Sequence, residues 1–320
     1  MPFAARPRFD WRLRTRSVAM GERTLIMGIL NVTPDSFSDG GRFLDRDAGL
    51  RHALQMLDEG ADVLDLGGES TRPNAAATTP AEEQARVLPV LRAVLAARPE
   101  TIVSIDTYHA ETARVAVEAG AEIVNDVSGH LWDAEMSATC AALGCGAILM
   151  HTRGRPQEWR TLPALAPDEV MPLVLRALEA RVQAAIDAGV AGDSIVLDPG
   201  FGFGKAFDEN YPLLAQLDRL HTLGFPVLAG VSRKSFLTRK RAGREDGARV
   251  GPAGTNVRPE AGLTTEVGNT AAILAGAHIL RVHEVGPARE TAAIADRVLE
   301  AADASLGGGS RLVRAVDDFQ

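Results

Sequence analysis

The chain has 320 residues, of which 46% are hydrophobic and 24% are charged, and this composition suits a large globular core. The formal net charge of −8 argues against nucleic acid or an anionic membrane as the main partner, because both attract basic surfaces. The sequence offers no run of about 18 apolar residues to span a bilayer. Its Arg-rich N-terminus is not followed by an apolar signal core, so we expect a cytoplasmic protein.

The first predicted element is a β-hairpin over residues 9–23, where alternation around Trp11 and Leu13 is followed by a turn at Gly21. We expect this hairpin to close the floor of the domain that follows. Eight short apolar runs come next, and each ends on residues that can bind or catalyse. These ends are Leu30-Asn31, Leu66 to Glu69, Ile105-Asp106, Val124 to Asp126, Met150-His151, Leu197-Asp198, Val231 to Lys234 and Leu280 to His283.

Most of these runs are followed by a stretch of helical period. One example is the apolar stripe Met171, Leu175, Leu178, Val182 and Ile186. Strands that alternate with helices predict a parallel sheet covered by helices. Eight repeats in 320 residues predict an α/β fold of the (β/α)8 TIM-barrel type, with the active site where the strands end.

We expect residues 1–320 to form a single barrel domain with three segments outside the repeat. Residues 1–23 would be the hairpin extension, residues 240–264 a flexible insertion rich in Gly, Arg and Pro, and residues 305–320 a loose tail. The only cysteines, Cys140 and Cys145, lie too close together for a disulfide framework, and we interpret them as two reduced thiols.

Three hydrogen-bonding side chains close strands three, four and six of the predicted barrel: Asp106, Asn125 and Asp198. Together at one barrel mouth they suit a flat heterocycle rich in N–H groups, because a carboxylate accepts two hydrogen bonds and Asn both donates and accepts. For any one of them, capping of the next helix is an equally good interpretation. Three at the ends of buried runs favour a site.

A second set is basic, and its members are Arg72, Lys234, Arg281 and His283. Arg281 and His283 share one face of strand eight, because they are two residues apart. Strands seven and eight are where such barrels usually bind phosphate, and a helix that begins at Ser235 offers free N–H groups to a second anion. The alternative is an ordinary pairing with a neighbour such as Glu284. We favour an anion site, since an inward Arg is costly unless an anion meets it.

Residues 31–43 and 70–80 are long for connections from strand to helix, and we interpret both as lids that exclude water. The glycine-rich residues 200–205 have neither phosphate-loop nor dinucleotide spacing, so we expect a turn that shapes a pocket wall beside Asp198. A lone histidine at a strand end, His151, is more typical of a satisfied core residue than of a ligand.

Five segments resemble the signature blocks of the dihydropteroate synthase family. They are ILNVTPDSFSDGG at 29–41, GGESTRP at 67–73, LDPGFGFGK at 197–205, SRKS at 232–235 and RVH at 281–283. The five occur in family order. The resemblance implies condensation of 6-hydroxymethyl-7,8-dihydropterin pyrophosphate with para-aminobenzoate to give 7,8-dihydropteroate and pyrophosphate in folate biosynthesis, with Mg2+ and a homodimer.

The resemblance also implies roles for individual residues. The pterin would be held by Asp106, Asn125, Met150, Asp198, Phe203 and Lys234. Pyrophosphate would be bound by Asn31, Arg72, Arg281 and His283, with Asn31 also at the magnesium ion. Para-aminobenzoate would contact Phe37, Thr71, Arg72, Pro73, Lys234 and Ser235. The groups expected to act in catalysis are Asp106, Asp198, Lys234, Arg281 and His283.

A dissociative reaction is expected, because an arylamine is a weak nucleophile while pyrophosphate leaves readily once its charge is neutralised. Two alternatives stay open. A methyltransferase that binds a reduced folate would use the pterin carboxylates but would release no pyrophosphate. A non-catalytic pterin-binding paralogue would keep the pterin pocket but lose the basic residues or a lid.

Overall fold

The structure is a computed structural model that describes residues 3–32, 41–69, 78–238 and 260–305. Its strands are β1 (Phe9–Arg12), β2 (Ser17–Met20), β3 (Leu25–Asn31), β4 (Val63–Gly67), β5 (Ile102–Asp106), β6 (Ile123–Asp126), β7 (Gly146–Met150), β8 (Ile195–Asp198), β9 (Leu228–Ala229) and β10 (Ile279–Val282). Its helices are α1 (Gly41–Asp58), α2 (Pro80–Ala97), α3 (Ala110–Glu118), α4 (Met136–Leu143), α5 (Pro167–Asp187), α6 (Asn210–Ala215), α7 (Ser235–Thr238), α8 (Glu260–Leu274) and α9 (Val285–Ser305). Short 3-10 turns cover Gly192–Ser194, Phe207–Glu209 and Leu217–Leu223.

The eight strands from β3 onward form one parallel sheet in the order β8-β7-β6-β5-β4-β3-β10-β9. A parallel bridge between Leu197 and Val227 joins the two ends of this order, and the Leu197 N–H donates to the Pro226 carbonyl at 2.9 Å. The sheet therefore curls into a nearly closed barrel with helices between its strands, which confirms the predicted (β/α)8 fold. Among the described helices, none is long and apolar enough to cross a membrane.

The N-terminal hairpin covers the floor of the barrel, as predicted. Strands β1 and β2 pair in antiparallel fashion, and Trp11, Leu13 and Met20 join a cluster of buried side chains near the starts of the barrel strands, among them Leu25 and Val63. The indole N–H of Trp11 donates to the Ser194 carbonyl at 2.8 Å. The opposite end of the barrel is thereby left as the open end.

Replacing Trp11 by Phe should lower the free energy of unfolding by about 1–2 kcal/mol, because the hydrogen bond to Ser194 and part of the buried ring are lost. Urea denaturation measures the effect. A suitable control is Leu131→Ala, since that side chain is 53% exposed and should change stability by less than about 0.5 kcal/mol. An unchanged unfolding midpoint in Trp11→Phe would contradict the floor packing.

The ends of the predicted lids differ from the structure. Asn31 belongs to β3 and α1 already begins at Gly41, so the strand and the helix together take up both ends of the segment predicted as residues 31–43. Helix α2 begins at Pro80 because Thr79 forms a capping box: its N–H donates to the Glu82 carboxylate at 2.9 Å and its hydroxyl accepts from the Glu82 N–H at 3.3 Å. Residues 33–40 and 70–77 lie outside the described part, and the lid interpretation stays a prediction.

Three other predicted boundaries need correction. Helix α8 begins at Glu260, so the insertion predicted over residues 240–264 overlaps a helix, and α9 continues to Ser305, where the tail was expected to start. Residues 239–259 and 306–320 are outside the described part of the chain. Strand β9 contains only Leu228 and Ala229, because the backbone then turns before the residues that face the barrel mouth.

The apolar stripe of α5 is mostly as predicted. Met171, Leu178 and Val182 are buried, but Ile186 in the last turn is 39% exposed. Cys140 at the end of α4 and Cys145 before β7 are both free and buried, as expected.

Candidate active site

A cavity of about 1170 Å³ opens at the carboxyl ends of the barrel strands. The predicted site residues that line it are Asn31, Asp106, Asn125, Met150, Asp198, Phe203, Lys234, Ser235, Arg281 and His283. Each lies at the end of a barrel strand or in the segment that follows it, which is why residues far apart in sequence meet here. The remaining predicted site residues, Phe37, Thr71, Arg72 and Pro73, lie outside the described residues.

Arg281 is held by two carboxylates of the protein. Its Nε donates to Asp65 Oδ2 at 2.6 Å and its Nη2 to Asp106 Oδ2 at 2.5 Å. The expectation that a ligand would be the anion that meets Arg281 is therefore incomplete. The alternative of an ordinary pairing within the protein is partly right: Arg281 is paired with two protein carboxylates, but not with Glu284, which accepts from the exposed Arg233 at 2.6 Å. The bonds to Asp65 and Asp106 use the Nε N–H and one N–H of Nη2, so the N–H groups of Nη1 and the second N–H of Nη2 are left for other acceptors.

Asp65 was not predicted from the sequence to be a site residue. It lies within β4, its side chain is 0% exposed, and its Oδ2 accepts from Asn125 Nδ2 at 3.0 Å as well as from Arg281. The signal was present in the run Val63-Leu64-Asp65-Leu66, because a carboxylate inside a buried strand is costly unless it is paired.

The carboxylates at the cavity are harder to ionise than ordinary ones. Burial raises the pKa of Asp106 to about 7; Arg281 opposes this rise, while the negative charge of Asp65 adds to it. Burial also raises the pKa of Asp126 to about 6 and raises that of Asp198. One guanidinium thus does not neutralise all the acids around it.

This pKa shift predicts that the stability of the protein depends on pH, and that Asp106→Asn weakens this dependence. The folded-state pKa of Asp106 is about 7 and its ordinary value is 3.8, so its contribution to stability is fully present below pH 3.8 and is lost as pH rises through 7. The charged groups that act on Asp106 are Arg281 on β10, Asp65 on β4, Glu83 on α2 and Asp126 on β6, and Lys234 before α7 also interacts with it.

Between pH 4 and pH 7, the stability of the wild type relative to Asp106→Asn should fall by about 1–2 kcal/mol in total. This total is smaller than a shift of about 1.4 kcal/mol per pKa unit would give for an isolated group, because Asp106 interacts with its neighbours. Urea titrations at several pH values measure this difference. A difference that is constant with pH would contradict the raised pKa.

Asp198 is fixed by the turn that follows β8. Its Oδ1 accepts from the Gly200 N–H at 2.7 Å. Gly200 has φ of +67°, and a Cβ there would lie 2.0 Å from the His151 carbonyl oxygen, so only glycine fits. The interpretation of residues 200–205 as a turn beside Asp198 agrees with this geometry.

Lys205 holds the same turn, a role that was not predicted from the sequence. Its Nζ donates to the carbonyls of Gly200 at 2.7 Å and of His151 and Phe203 at 3.3 Å. Burial lowers the pKa of Lys205 to about 7, with Asp198 acting in the opposite direction. A lysine that closes a glycine-rich turn is the one sequence signal that could have indicated a cation binding backbone carbonyls.

Lys234 lies over an aromatic ring at the cavity wall. Its Nζ is 4.1 Å from the centroid of the Phe203 ring, a cation–π contact. Burial lowers the pKa of Lys234 to about 8, and the charge of Arg281 lowers it further, whereas Asp198 and Asp106 raise it. Helix α7 begins at the next residue, Ser235.

The two histidines at strand ends differ. His283 lines the cavity, and its Nδ1 lies 3.0 Å from the Ser232 hydroxyl, which fixes the ring. His151 is buried, 5% exposed, as expected of a core residue. Its Nδ1 nevertheless has no hydrogen-bond partner among the described residues, so the prediction of a satisfied core histidine is only partly right.

Comparison with known proteins defines the class. The family model described as pterin binding enzyme matches residues 27–283, from β3 to the histidine that follows β10. The fold and the cavity are thus those of a pterin-binding barrel enzyme.

Curated relatives make the assignment narrower. A dihydropteroate synthase of Synechocystis sp. is 39% identical over 289 residues, which are 90% of this chain and 91% of that protein. A dihydropteroate synthase of Clostridium beijerinckii is 42% identical over 226 residues, 71% of this chain and 80% of the relative. The chain belongs to the dihydropteroate synthase family, whose members are transferases.

Solved structures agree with this assignment. The Yersinia pestis dihydropteroate synthase in a sulfonamide drug complex has a TM-score of 0.78 at 36% identity, covering 91% of this chain and 100% of that one. The Xanthomonas albilineans dihydropteroate synthase with 4-aminobenzoic acid has a TM-score of 0.77 at 37% identity, covering 92% and 98%.

Proposed function

We propose that the protein condenses 6-hydroxymethyl-7,8-dihydropterin pyrophosphate with para-aminobenzoate, giving 7,8-dihydropteroate and pyrophosphate in folate biosynthesis. The observation that carries this proposal is the meeting of Asp106, Asn125, Asp198, Lys234 and Arg281 around one cavity in a chain of this family. Structures of the Xanthomonas albilineans relative contain 4-aminobenzoic acid or 7,8-dihydropteroate, which supports the choice of second substrate and product.

The pterin would be recognised by the acceptors at the ends of β5, β6 and β8. Asp106, Asn125 and Asp198 all line the cavity, and a dihydropterin offers them a row of N–H donors. Met150 and Phe203 would supply apolar contacts to its faces. Lys234, above the Phe203 ring, would donate to a pterin acceptor.

Pyrophosphate would lie beside Asn31, Arg281 and His283, with Arg72 as a further proposed contact. We propose that Asn31 binds Mg2+ at the site. Asn31 lines the cavity, and its Oδ1 lies beside Gly67 at the open end of β4, 3.4 Å from where a Cβ on Gly67 would stand. Mg2+ prefers oxygen ligands and is often held by one or two protein groups together with substrate phosphates. When bound, the ion would supply positive charge to the leaving pyrophosphate.

The reaction would begin with dissociative cleavage of the C–O bond to pyrophosphate. Arg281 and His283 would stabilise the negative charge that develops on the leaving group. Asp106 and Asp198 would stabilise the cation left on the pterin, and Lys234 would hold the ring in place. The arylamine would then attack with its carboxylate near Ser235 at the start of α7. No strong base is required, since the amine becomes acidic only after the C–N bond forms.

A coupled assay for pyrophosphate tests the function. We expect release only when the pterin pyrophosphate, para-aminobenzoate and Mg2+ are all present, and loss of release when any one is omitted. A methyltransferase would release no pyrophosphate, and a non-catalytic paralogue would bind pterin without turnover. Either of those results would replace the proposed function.

We also propose a homodimer. Two neighbouring helices carry exposed apolar side chains: Leu263 (73%) and Val267 (63%) on α8, and Ile294 (70%) and Val298 (38%) on α9. Such side chains are more stable when a partner covers them. Light scattering should give twice the chain mass, and Leu263→Glu should shift the protein toward monomer, whereas Leu131→Glu on another exposed side chain should not. A monomeric wild type would contradict the proposal.

A cytoplasmic location is proposed for the same protein. Two free buried thiols, Cys140 and Cys145, suit a reducing compartment. Cell fractionation with a tagged chain would test it, and recovery from an exported fraction would refute it.

A further inference from the structure

Asp65 joins two parts of the site without lining the cavity. Asp65, Asn125 and Arg281 stand on β4, β6 and β10, which are alternate strands of the barrel. Residues on alternate strands share one layer of a barrel interior, where branched apolar side chains are usual. Here the layer carries a carboxylate between an amide and a guanidinium, joined by hydrogen bonds of 3.0 and 2.6 Å.

On one side, Asp65 controls the direction of the Asn125 amide. An ionised carboxylate only accepts hydrogen bonds, so the Asn125 nitrogen must face it. The amide oxygen and the second N–H of Asn125 are then the groups left for a ligand. With no acceptor at residue 65, both orientations of the amide become available, and the pattern offered to a heterocycle is no longer unique.

On the other side, Asp65 restrains Arg281 and partly offsets the electric field of its positive charge. With Asp106 it fixes Nε and Nη2 of the guanidinium, which limits the direction in which Nη1 can point. The negative charge of Asp65 also weakens the attraction between Arg281 and any anion. Loss of Asp65 would therefore free Arg281 and strengthen its attraction for pyrophosphate.

The arrangement is costly for the fold. Asp65 is fully buried, and its Oδ1 has no hydrogen-bond partner in the described part of the chain. Burial of this carboxylate costs free energy that its bonds to Arg281 and Asn125 must offset, and the unpaired oxygen adds to that cost. A buried charge of this cost that also orders two binding groups fits a role in function.

We propose that Asp65 is a positioning residue that orients Asn125 for the pterin. At the pyrophosphate site, it restrains Arg281 and weakens the attraction of that arginine for the anion. It touches neither substrate and acts through these two side chains. The inference rests on the proposed function, since the ligands it invokes are those of that reaction. Its signature is a change of opposite sign for the two ligands when Asp65 is replaced.

Calorimetric titration of the full chain with 6-hydroxymethylpterin and, separately, with inorganic pyrophosphate tests the proposal. In Asp65→Ala we expect pterin affinity to fall by about tenfold, the scale of one lost hydrogen bond at a binding site. Pyrophosphate affinity should increase. Asp65→Asn, which keeps the shape, should change both affinities in the same directions by smaller factors, and urea denaturation should show that it is folded, because Asp106 still pairs with Arg281.

The matched control is Asp62→Asn. Asp62 also binds an arginine, Arg23, at 2.6 Å, but it lies at the floor end just before β4. This variant should leave both affinities unchanged. If pterin affinity does not fall in Asp65→Ala, or if pyrophosphate affinity does not rise, Asp65 does not act on both groups and the inference is overturned. If the wild type binds neither ligand, the proposed function fails instead, independently of what the Asp65 variants do.

Discussion

Replacing Arg281 by Ala should lower the rate of pyrophosphate release by about two orders of magnitude, the scale of losing one preorganised charge contact to a developing anion. The structure adds a second effect. Asp65 and Asp106 both lose their cation, so the free energy of unfolding should fall by about 3 kcal/mol, as when one partner of a buried ion pair is removed. Protonation of Asp106 would relieve part of this loss, because burial already raises its pKa and Arg281 no longer opposes the rise in this variant.

Saturation kinetics with the coupled assay and urea denaturation would measure the two effects separately. The control is Arg23→Ala, which removes an arginine that binds Asp62 at the floor with its side chain 48% exposed. It should leave turnover unchanged and cost less than about 1 kcal/mol. Turnover near the wild-type value in Arg281→Ala would refute the assignment of β10 to the leaving group.

Asp198→Asn should weaken pterin binding by about 2 kcal/mol, or roughly 30-fold, because a donor on the pterin would face an amide nitrogen in a buried site. The thermal stability of the fold should hardly change. The Asn side chain can still accept from the Gly200 N–H, and burial already raises the pKa of Asp198, which means that its charged form is disfavoured there.

Titration calorimetry with 6-hydroxymethylpterin and thermal unfolding distinguish the two roles of Asp198. Asp193→Asn is the matched control, because Asp193 precedes the other end of β8 and forms an exposed pair with Arg12 at 2.9 Å. If Asp198→Asn unfolds while pterin binding survives, Asp198 is a helix or turn cap, the alternative that the sequence left open.

Much of the site followed from the sequence because its signals are local. The end of each apolar run marks where a strand leaves the sheet, and parallel strands in a barrel end on one side. Asp106, Asn125, Asp198, Lys234 and Arg281 were found in this way, and all line the cavity. The roles assigned to them still depend on the experiments above.

The sequence by itself determined the eightfold strand and helix repeat, the hairpin on the floor and the face on which Arg281 lies, because periodicity fixes the direction of a side chain. Only the tertiary structure decided its partners. Arg281 and Asp65 are 216 residues apart in sequence. They meet because only β3 lies between β10 and β4 in the barrel. Likewise, the three carbonyls around Lys205 converge only once β7 and β8 are paired. The periodicity of the sequence shows on which face of a strand a charged side chain lies, but its partner of opposite charge is determined by the tertiary structure.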